Sequence, residues 1–296
     1  MTTYDFIASN KKKTAWLILI FLAFIFGLGW VIDRVYNTGG TFIVVAGVYS
    51  SVTALVSYFG GDKIALLATG ARQVTESDNP YVVRMIDNLC ITTGTPKPKV
   101  YLIDDPAINA FATGRDPNHA SIAVTTGAVQ KLANEELEGV LAHELSHVRN
   151  YDIRLMTVVI VLVGTVVILS DLVFRWSFFG RRRRDNEGGG GLFMIVGLLL
   201  LILAPLIAQL IKLAVSRKRE FLADSSAALI TRFPEGLARA LRKIADDARP
   251  MARASAATAH LFFANPFSGK ALANLFSTHP PIEDRIKALT LMSNPA

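Results

Sequence analysis

The chain has 296 residues, of which 51% are hydrophobic and 19% are charged, and its formal net charge is +7 at pH 7. A single cysteine, Cys90, excludes an intramolecular disulfide framework and any multi-cysteine zinc module. Two basic clusters, at residues 11–13 and 181–184, flank apolar runs, and we find no nucleic-acid readout motif. The positive charge therefore favours an anionic bilayer surface over nucleic acid as a partner.

Two apolar runs open the chain. Residues 14–32 and 41–60 are 19 and 20 residues long and contain no charged side chain, so each can cross about 30 Å of hydrocarbon as a helix. Trp16 and Trp30, near the two ends of the first run, suit a membrane interface. A signal peptide is the poorer explanation, because the first run is too long, no small-x-small cleavage site follows it, and a second run comes at once. We predict a transmembrane hairpin at residues 1–60.

Residues 61–154 are polar enough to form the first half of a folded domain. Asp78 or Asn79 before Pro80 predicts a helix start, and the helix is expected to continue to about residue 91. Asn134, Glu135 and Glu136 predict a cap and an acidic first turn for a second helix that reaches about Arg149. Three short strands are predicted between the two helices, at residues 100–103, 110–113 and 121–125.

Residues 155–215 predict a second apolar hairpin. Its two runs, 155–174 and 192–215, are separated by a polar linker rich in arginine and glycine at residues 175–191. Residues 216–296 then read as an all-helical second half of the folded domain, with fresh helix starts at Pro234 and after Pro280.

His143 and His147 are four residues apart on the helix predicted from Asn134, so both imidazoles project from one face. This spacing allows two nitrogens to bind one zinc ion. Glu144 lies about 100° around the helix from His143, where its carboxylate can act as a base on a metal-activated water without becoming a ligand. The alternative, a surface helix that carries two histidines by accident, is disfavoured because the chain has only five histidines.

Zinc catalysis requires a third protein ligand and one open position. Glu220 is a candidate, because it follows the fourth apolar run on a continuing helix, and Asp224 lies one turn further on the same face. Asp224 could accept a hydrogen bond from the second nitrogen of a ligand histidine. From the pattern alone, a solvated acidic pair among basic residues explains these two side chains equally well.

The sequence resembles the HtpX heat-shock membrane protease family, which is related to the type 1 CAAX prenyl proteases. The resemblance covers essentially the whole chain and depends on five segments: NAFATG at 109–114, VTTG at 124–127, LAHELSHVRNYD at 141–152, SRKREFLAD at 216–224 and STHP at 277–280. It implies a gluzincin fold with one zinc ion per chain on His143, His147 and Glu220, with Glu144 as the base and Asp224 behind a ligand. It also implies a bacterial inner-membrane enzyme that degrades misfolded membrane proteins.

The other three histidines and the predicted strands carry weaker hypotheses. His279 could stabilise the oxyanion of the tetrahedral intermediate, or it could only shape the turn before the last helix. His260 is expected to be packed among apolar residues and His119 to be solvated. The strands at 110–113 and 121–125 could supply an edge to which an extended substrate adds itself, or they could be covered structural strands. The candidate substrate-binding residues are Asn109, Ala110, Phe111, Val124 and Thr125.

These features predict an α+β metallopeptidase domain combined with about four transmembrane helices, and the resemblance implies that the domain is of gluzincin type. We expect a multi-pass protein of the bacterial inner membrane whose active site faces the cytoplasm and cleaves unfolded or membrane proteins. The alternatives are a CAAX-type prenyl protease and a catalytically silent membrane scaffold. An intact Glu144 argues against the scaffold, since a scaffold does not need that carboxylate. The sequence leaves the oligomeric state open.

Overall fold

The structure is a computed structural model that describes residues 3–179, 217–247, 249–255, 258–267 and 280–293. Nine α-helices and four β-strands lie within these residues, which confirms the mixed helix-and-sheet class. The helices are α1 (Thr3–Tyr36), α2 (Thr41–Thr69), α3 (Pro80–Thr93), α4 (Thr126–Lys131), α5 (Asn134–Arg149), α6 (Asp152–Phe179), α7 (Arg217–Thr231), α8 (Pro234–Asp247) and α9 (Ile282–Ser293). The strands are β1 (Arg72–Gln73), β2 (Lys99–Ile103), β3 (Ala110–Gly114) and β4 (Ala120–Thr125).

α1 and α2 contain the first two apolar runs and pack against each other as a hairpin. Asp33 holds the turn between them, because its carboxylate accepts the backbone N–H of Gly40 at 2.9 Å and that of Phe42 at 3.3 Å. These N–H groups have no partner within a helix that is just beginning. Gly40 has a φ of 96°, a left-handed conformation that a side chain would disfavour.

Both helices of this hairpin are long and apolar enough to cross a membrane by length and composition, over Ile7–Val31 and Thr41–Thr69. α2 continues well past residue 60, so the predicted end of the hairpin falls inside a helix. Much of the apolar surface is exposed, including the side chains of Trp16, Leu19, Phe26, Trp30, Val45, Val48, Leu55 and Phe59. An exposed apolar surface of this extent is typical of a membrane or protein contact.

The four strands form one sheet in the order β1-β2-β4-β3. β4 lies inside the sheet, parallel to β2 and antiparallel to β3, with Phe111 opposite Ala123 in the register of the antiparallel pair. β3 is therefore an edge strand of the sheet, whereas β4 is not. The three strands predicted from the sequence correspond to β2, β3 and β4.

α5 is the central helix of the folded domain. Apart from Glu138, all of its residues from 136 to 148 are buried, because β3, α6, α7 and α8 pack around it. α8 approaches α5 closely at two glycines, Gly139 on α5 and Gly236 on α8. A Cβ added at Gly139 would lie 3.0 Å from the backbone nitrogen of Leu237, and one added at Gly236 would lie 2.6 Å from the carbonyl oxygen of Glu135. The close crossing of α5 and α8 thus depends on both glycines.

α6 contains the third predicted apolar run, and its first half is buried against α1, α2 and β3. Thr157 connects it to the sheet edge, where its hydroxyl lies 2.8 Å from that of Thr113 and accepts the N–H of Gly114 at 3.0 Å. The fourth predicted run, 192–215, and most of the linker at 175–191 lie outside the described residues. The predicted total of about four membrane helices therefore stays a prediction.

Candidate metal centre

The helical spacing of His143 and His147 brings their rings together in the core. Their Nε2 atoms lie 3.1 Å apart, and the two rings meet edge to face with centroids 4.7 Å apart. Both side chains are buried, at 1% and 4% exposure. An imidazole pair this close and this well shielded from water needs a strong compensating interaction.

Glu220 reaches the pair from α7, which packs directly against α5. One of its carboxylate oxygens lies 3.7 Å from Nε2 of His143, and the other lies 3.7 Å from Nε2 of His147. One ligand atom from each of the three residues falls within 4.8 Å of the others, and all three residues are buried. The structure thus brings together the three side chains that the sequence analysis proposed as ligands.

Each histidine is oriented by a carboxylate on its other nitrogen. Nδ1 of His143 lies 2.9 Å from Asp224, and Nδ1 of His147 lies 3.0 Å from Asp152. Because an ionised carboxylate only accepts, each Nδ1 donates its proton, and each Nε2 keeps a lone pair that points toward the other histidine and Glu220. Asp224 was predicted for this position. Asp152 was not predicted to orient a histidine, although an acidic residue just beyond the end of α5 was a signal that the sequence contained.

This donor set fits a zinc ion. Two lone pairs 3.1 Å apart repel unless a cation or a shared proton lies between them. Zinc–nitrogen bonds are about 2.0–2.1 Å long, so one ion can bridge two nitrogens at this separation. Two imidazole nitrogens and one carboxylate oxygen are also a ligand set that catalytic zinc uses, with a fourth position for water.

The electrostatics around His147 also favour a cation. Burial alone would lower its pKa, but the hydrogen bond to Asp152 and the charges of Glu220, Asp152 and Glu144 together raise the pKa to about 9. For His143 the effect of burial dominates and lowers the pKa to about 4. One positive charge is therefore stabilised beside the two rings, and a metal ion held by His143 and His147 would supply it.

Arg285, on α9, holds the carboxylate behind His143. Its Nε donates to Oδ2 of Asp224 at 2.8 Å and its Nη2 donates to Oδ1 at 2.7 Å, while its guanidinium carbon lies 4.6 Å from the centre of the Phe263 ring. The side chain is only 1% exposed. Burial would raise the pKa of Asp224, but Arg285 and His143 lower it to about 2. Asp224 is thus held ionised. No sequence pattern indicated Arg285, because its contact with Asp224 depends on how α9 packs.

Glu144 is buried at 2% exposure, beside His143 on α5. Its negative charge helps to raise the pKa of both His147 and Arg285, which places the carboxylate in the electrostatic field of the cluster. His279 lies outside the described residues, immediately before Pro280. The structure confirms the predictions for the two other histidines. His260, predicted to be packed, is buried with Nε2 3.2 Å from the carbonyl of Met156, and His119, predicted to be solvated, is half exposed beside Asp116.

The predicted substrate strand needs correction. Val124 and Thr125 lie on β4, inside the sheet, so their main chains cannot pair with an added strand. The hydroxyl of Thr125 instead donates to the carbonyl of Ala107 and accepts the N–H of Ala128 at the start of α4. Strand order, which decides this question, is not readable from two short apolar segments.

At Asn109, Ala110 and Phe111, in and just before β3, the groups proposed to bind substrate also have partners within the protein. The carbonyl of Ala110 accepts the N–H of Phe263 at 2.8 Å, and the Asn109 side chain binds both backbone groups of Ala264. Phe111 is fully buried, and its backbone pairs toward β4. Phe263, which sequence reasoning missed, also meets the ring of His143 edge-on at 4.9 Å. By the alternation of an antiparallel pair, the backbone groups of Ala112 face away from β4.

Comparison with known proteins places these observations in a family. The profile of Peptidase family M48 matches residues 76–293. The chain is 45% identical over 291 residues to a protease HtpX homolog of Tropheryma whipplei (strain Twist), a match that covers 98% of this chain and 99% of that protein. It is 43% identical to a protease HtpX homolog of Dictyoglomus turgidum, with 98% and 95% covered. The crystal structure of S. mikatae Ste24p aligns with a TM-score of 0.49 at 19% identity, covering 97% of this chain and 67% of that one.

The fold and the buried cluster define a metalloprotease, a hydrolase that acts on peptide bonds. The chain belongs to peptidase family M48, and its relatives within that family are HtpX proteases. The resemblance stated from the sequence segments is therefore confirmed.

Proposed function

We propose that the chain is a zinc-dependent endopeptidase that cleaves unfolded and misfolded membrane proteins as part of protein quality control. The single observation that supports this most directly is the buried set of His143, His147 and Glu220, in which both histidines present Nε2 to a common point. Bound zinc supplies Lewis-acid chemistry, because it polarises the scissile carbonyl and acidifies a coordinated water.

The chain's own residues supply the rest of the mechanism. Glu144 accepts a proton from the attacking water and returns it to the leaving nitrogen. Asp224 and Asp152 keep the two histidines in the tautomer that leaves Nε2 available. For His279 we keep the proposal that its imidazole stabilises the oxyanion, with turn-shaping as its alternative role.

We propose that an extended substrate pairs with the edge of β3 at Ala112. The N–H and C=O of this residue face away from β4 and lie between Ala110, which is bonded to Phe263, and Gly114, which is bonded to Thr157. Main-chain pairing does not depend on substrate side chains, so it suits an enzyme that accepts many sequences. Such tolerance is what the removal of misfolded proteins requires.

For the orientation, we propose that the metal centre faces the cytoplasm of a bacterial cell. Lys11, Lys12 and Lys13 place the start of α1 on the cytoplasmic side by the positive-inside rule. Asn10, beside them, contacts Asp152, which orients His147, so the metal centre lies at that same end of α1. Together with the basic cluster, these contacts support a cytoplasmic active site.

The test is the Glu144→Gln variant, assayed with full-length protein in detergent on casein and on an unfolded membrane protein. The amide keeps the size of the side chain but cannot accept the proton, so we expect normal zinc content and at least about a 1,000-fold loss of turnover. Glu138→Gln, on the same helix but away from the cluster, is the control and should keep wild-type activity. Near-normal turnover by zinc-loaded Glu144→Gln protein would overturn the mechanism.

The same assay, extended to a prenylated peptide and its unprenylated counterpart, separates the two alternative functions. A silent scaffold would cleave neither substrate even when the wild-type protein holds stoichiometric zinc. A CAAX-type prenyl protease would cleave a prenylated peptide and leave the unprenylated peptide and casein intact.

A further inference from the structure

The junction between α5 and α6 carries the carboxylate that orients His147. It consists of Asn150 and Tyr151, and Asp152 follows as the first residue of α6. Tyr151 has a φ of 58°, a left-handed conformation that is disfavoured for a residue with a large side chain. Because this backbone conformation is not intrinsically stable, neighbouring contacts must hold the junction and, with it, Asp152.

The first turns of α1 supply these contacts. The Asn10 side chain donates to the carbonyl of Asn150 at 3.0 Å and to Oδ1 of Asp152 at 2.7 Å. The ammonium of Lys11, the next residue, lies 4.6 Å from the centre of the Tyr151 ring. Asn10 is only 2% exposed, although it belongs to the helix with the first apolar run. A buried polar side chain at this position indicates a specific role, since an apolar residue would pack there without a hydrogen-bonding requirement.

The two oxygens of Asp152 are used in different directions. Oδ2 faces Nδ1 of His147 at 3.0 Å, whereas Oδ1 accepts from Asn10 and lies 3.4 Å from Nη1 of Arg219 on α7. The same Arg219 atom lies 3.3 Å from Oδ1 of Asn10. With Oδ1 fixed in this way, the carboxylate cannot rotate, and Oδ2 stays aimed at the imidazole.

We propose that Asn10 is a positioning residue for the metal centre. It holds Asp152 against His147 and so couples the N-terminal apolar hairpin to the affinity of the enzyme for its metal. The hairpin is then part of the site as well as an anchor. This inference rests on the proposed zinc function.

The test measures zinc binding by full-length protein in detergent, in competition with a chromophoric chelator. Partners that orient a ligand histidine typically account for 10- to 100-fold in metal affinity, and Asn10 acts one step further out, so we expect Asn10→Ala to weaken zinc binding on the order of 10-fold. The visible absorption of the Co²⁺-substituted protein should also change, because the direction of one imidazole changes. Thr14→Ala is the control. Thr14 is buried one turn further along α1 and its hydroxyl donates within the helix to the carbonyl of Asn10, so this variant should keep the wild-type affinity and spectrum.

A double-mutant cycle with Asp152→Ala separates positioning from general destabilisation. If Asn10 acts through Asp152, then Asn10→Ala should cause no further loss of affinity in the Asp152→Ala background. An equal loss in both backgrounds would overturn the proposal, and so would an equal loss in the Thr14 control.

Asn10→Asp covers the case in which the alanine variant does not fold. It has the same size and cannot donate, so it should lose at least as much zinc affinity as Asn10→Ala. Wild-type affinity in Asn10→Asp would contradict the proposal. Failure of the wild-type chain to bind zinc would instead refute the proposed function, so the two failures are distinguishable.

Discussion

Replacing Arg285 by methionine tests how Asp224 and His143 are held in place by the last helix, α9. Methionine keeps an apolar stem of similar length and removes the guanidinium. In the structure that guanidinium makes two parallel hydrogen bonds to Asp224, at 2.8 and 2.7 Å, and all of its surroundings are buried. Arginine is used for this two-pronged geometry because its fork matches a carboxylate.

The expected magnitude follows from the burial of both partners, each 1% exposed. Removing one side of a buried ion pair leaves the other charge uncompensated and costs about 3–5 kcal/mol of stability. Without Arg285 the pKa of Asp224 should rise from about 2, because burial favours the neutral form. A protonated or displaced Asp224 no longer orients His143, so zinc affinity should fall by about 10- to 100-fold.

The assay combines thermal unfolding in detergent with zinc competition. Arg242→Met is the matched control, because Arg242 also pairs with a carboxylate, that of Glu235 at 2.7 Å, but both side chains are substantially exposed. Such a pair contributes less than about 1 kcal/mol. The double variant Arg285→Met/Asp224→Leu should recover much of the stability, since an apolar pair replaces the ions, while zinc stays weakly bound. An Arg285→Met protein as stable as Arg242→Met, with wild-type zinc affinity, would refute the reasoning.

Three further predictions concern the third ligand, the start of α5 and the topology. Glu220→Ala should lose zinc on dialysis, and stoichiometric zinc in this variant would point to a different third ligand. Burial raises the pKa of Glu136, but the hydrogen bonds from Lys243 and from the N–H of Ala133 lower it below 4.5 overall. The ionised Glu136 carboxylate therefore stabilises the fold above pH 4.5, and this stabilisation is lost as the pH falls further. Glu136→Gln should lower the free energy of unfolding by about 1 kcal/mol at pH 7 and should be as stable as the wild type in acid. If residues 155–215 span the membrane, a cysteine at Asn186 in a cysteine-free background should react with an impermeant maleimide on whole cells. Labelling only after the inner membrane is broken would contradict that span.

Elements with strong local signals were predictable from the sequence. α5 ends at Arg149 as predicted, but its N-cap is Ala133, so Asn134 is the first helical residue and not the predicted cap. Asn79 does cap α3 by accepting the N–H of Val82. β2, β3 and β4 fall within a residue or so of their predicted positions. The six-residue α4 was missed, because it is too short to show a helical period and depends on a cap from Thr125.

The candidate site could be grouped from the sequence because its four side chains form two pairs, each within one helix. His143 and His147 share α5, and Glu220 and Asp224 share α7, so spacing alone indicates a common face. The groups that support them come from distant positions. Asn10 contacts a residue 142 positions away and Arg285 contacts one 61 positions away, so only the packed structure brings them together. No local pattern encodes such contacts.

The two histidines of the cluster are supported from opposite ends of the chain. Asp224 and Arg285, from the C-terminal helices, hold His143, whereas Asp152 and Asn10 connect His147 to the first helix. Both supports must be in place to hold the two Nε2 atoms toward a common point. Metal binding to the completed site therefore stabilises the docked arrangement of the N-terminal hairpin and the C-terminal helices together. Because linkage is reciprocal, any change that loosens either end of the chain should weaken the affinity for zinc, even when the ligands themselves are intact.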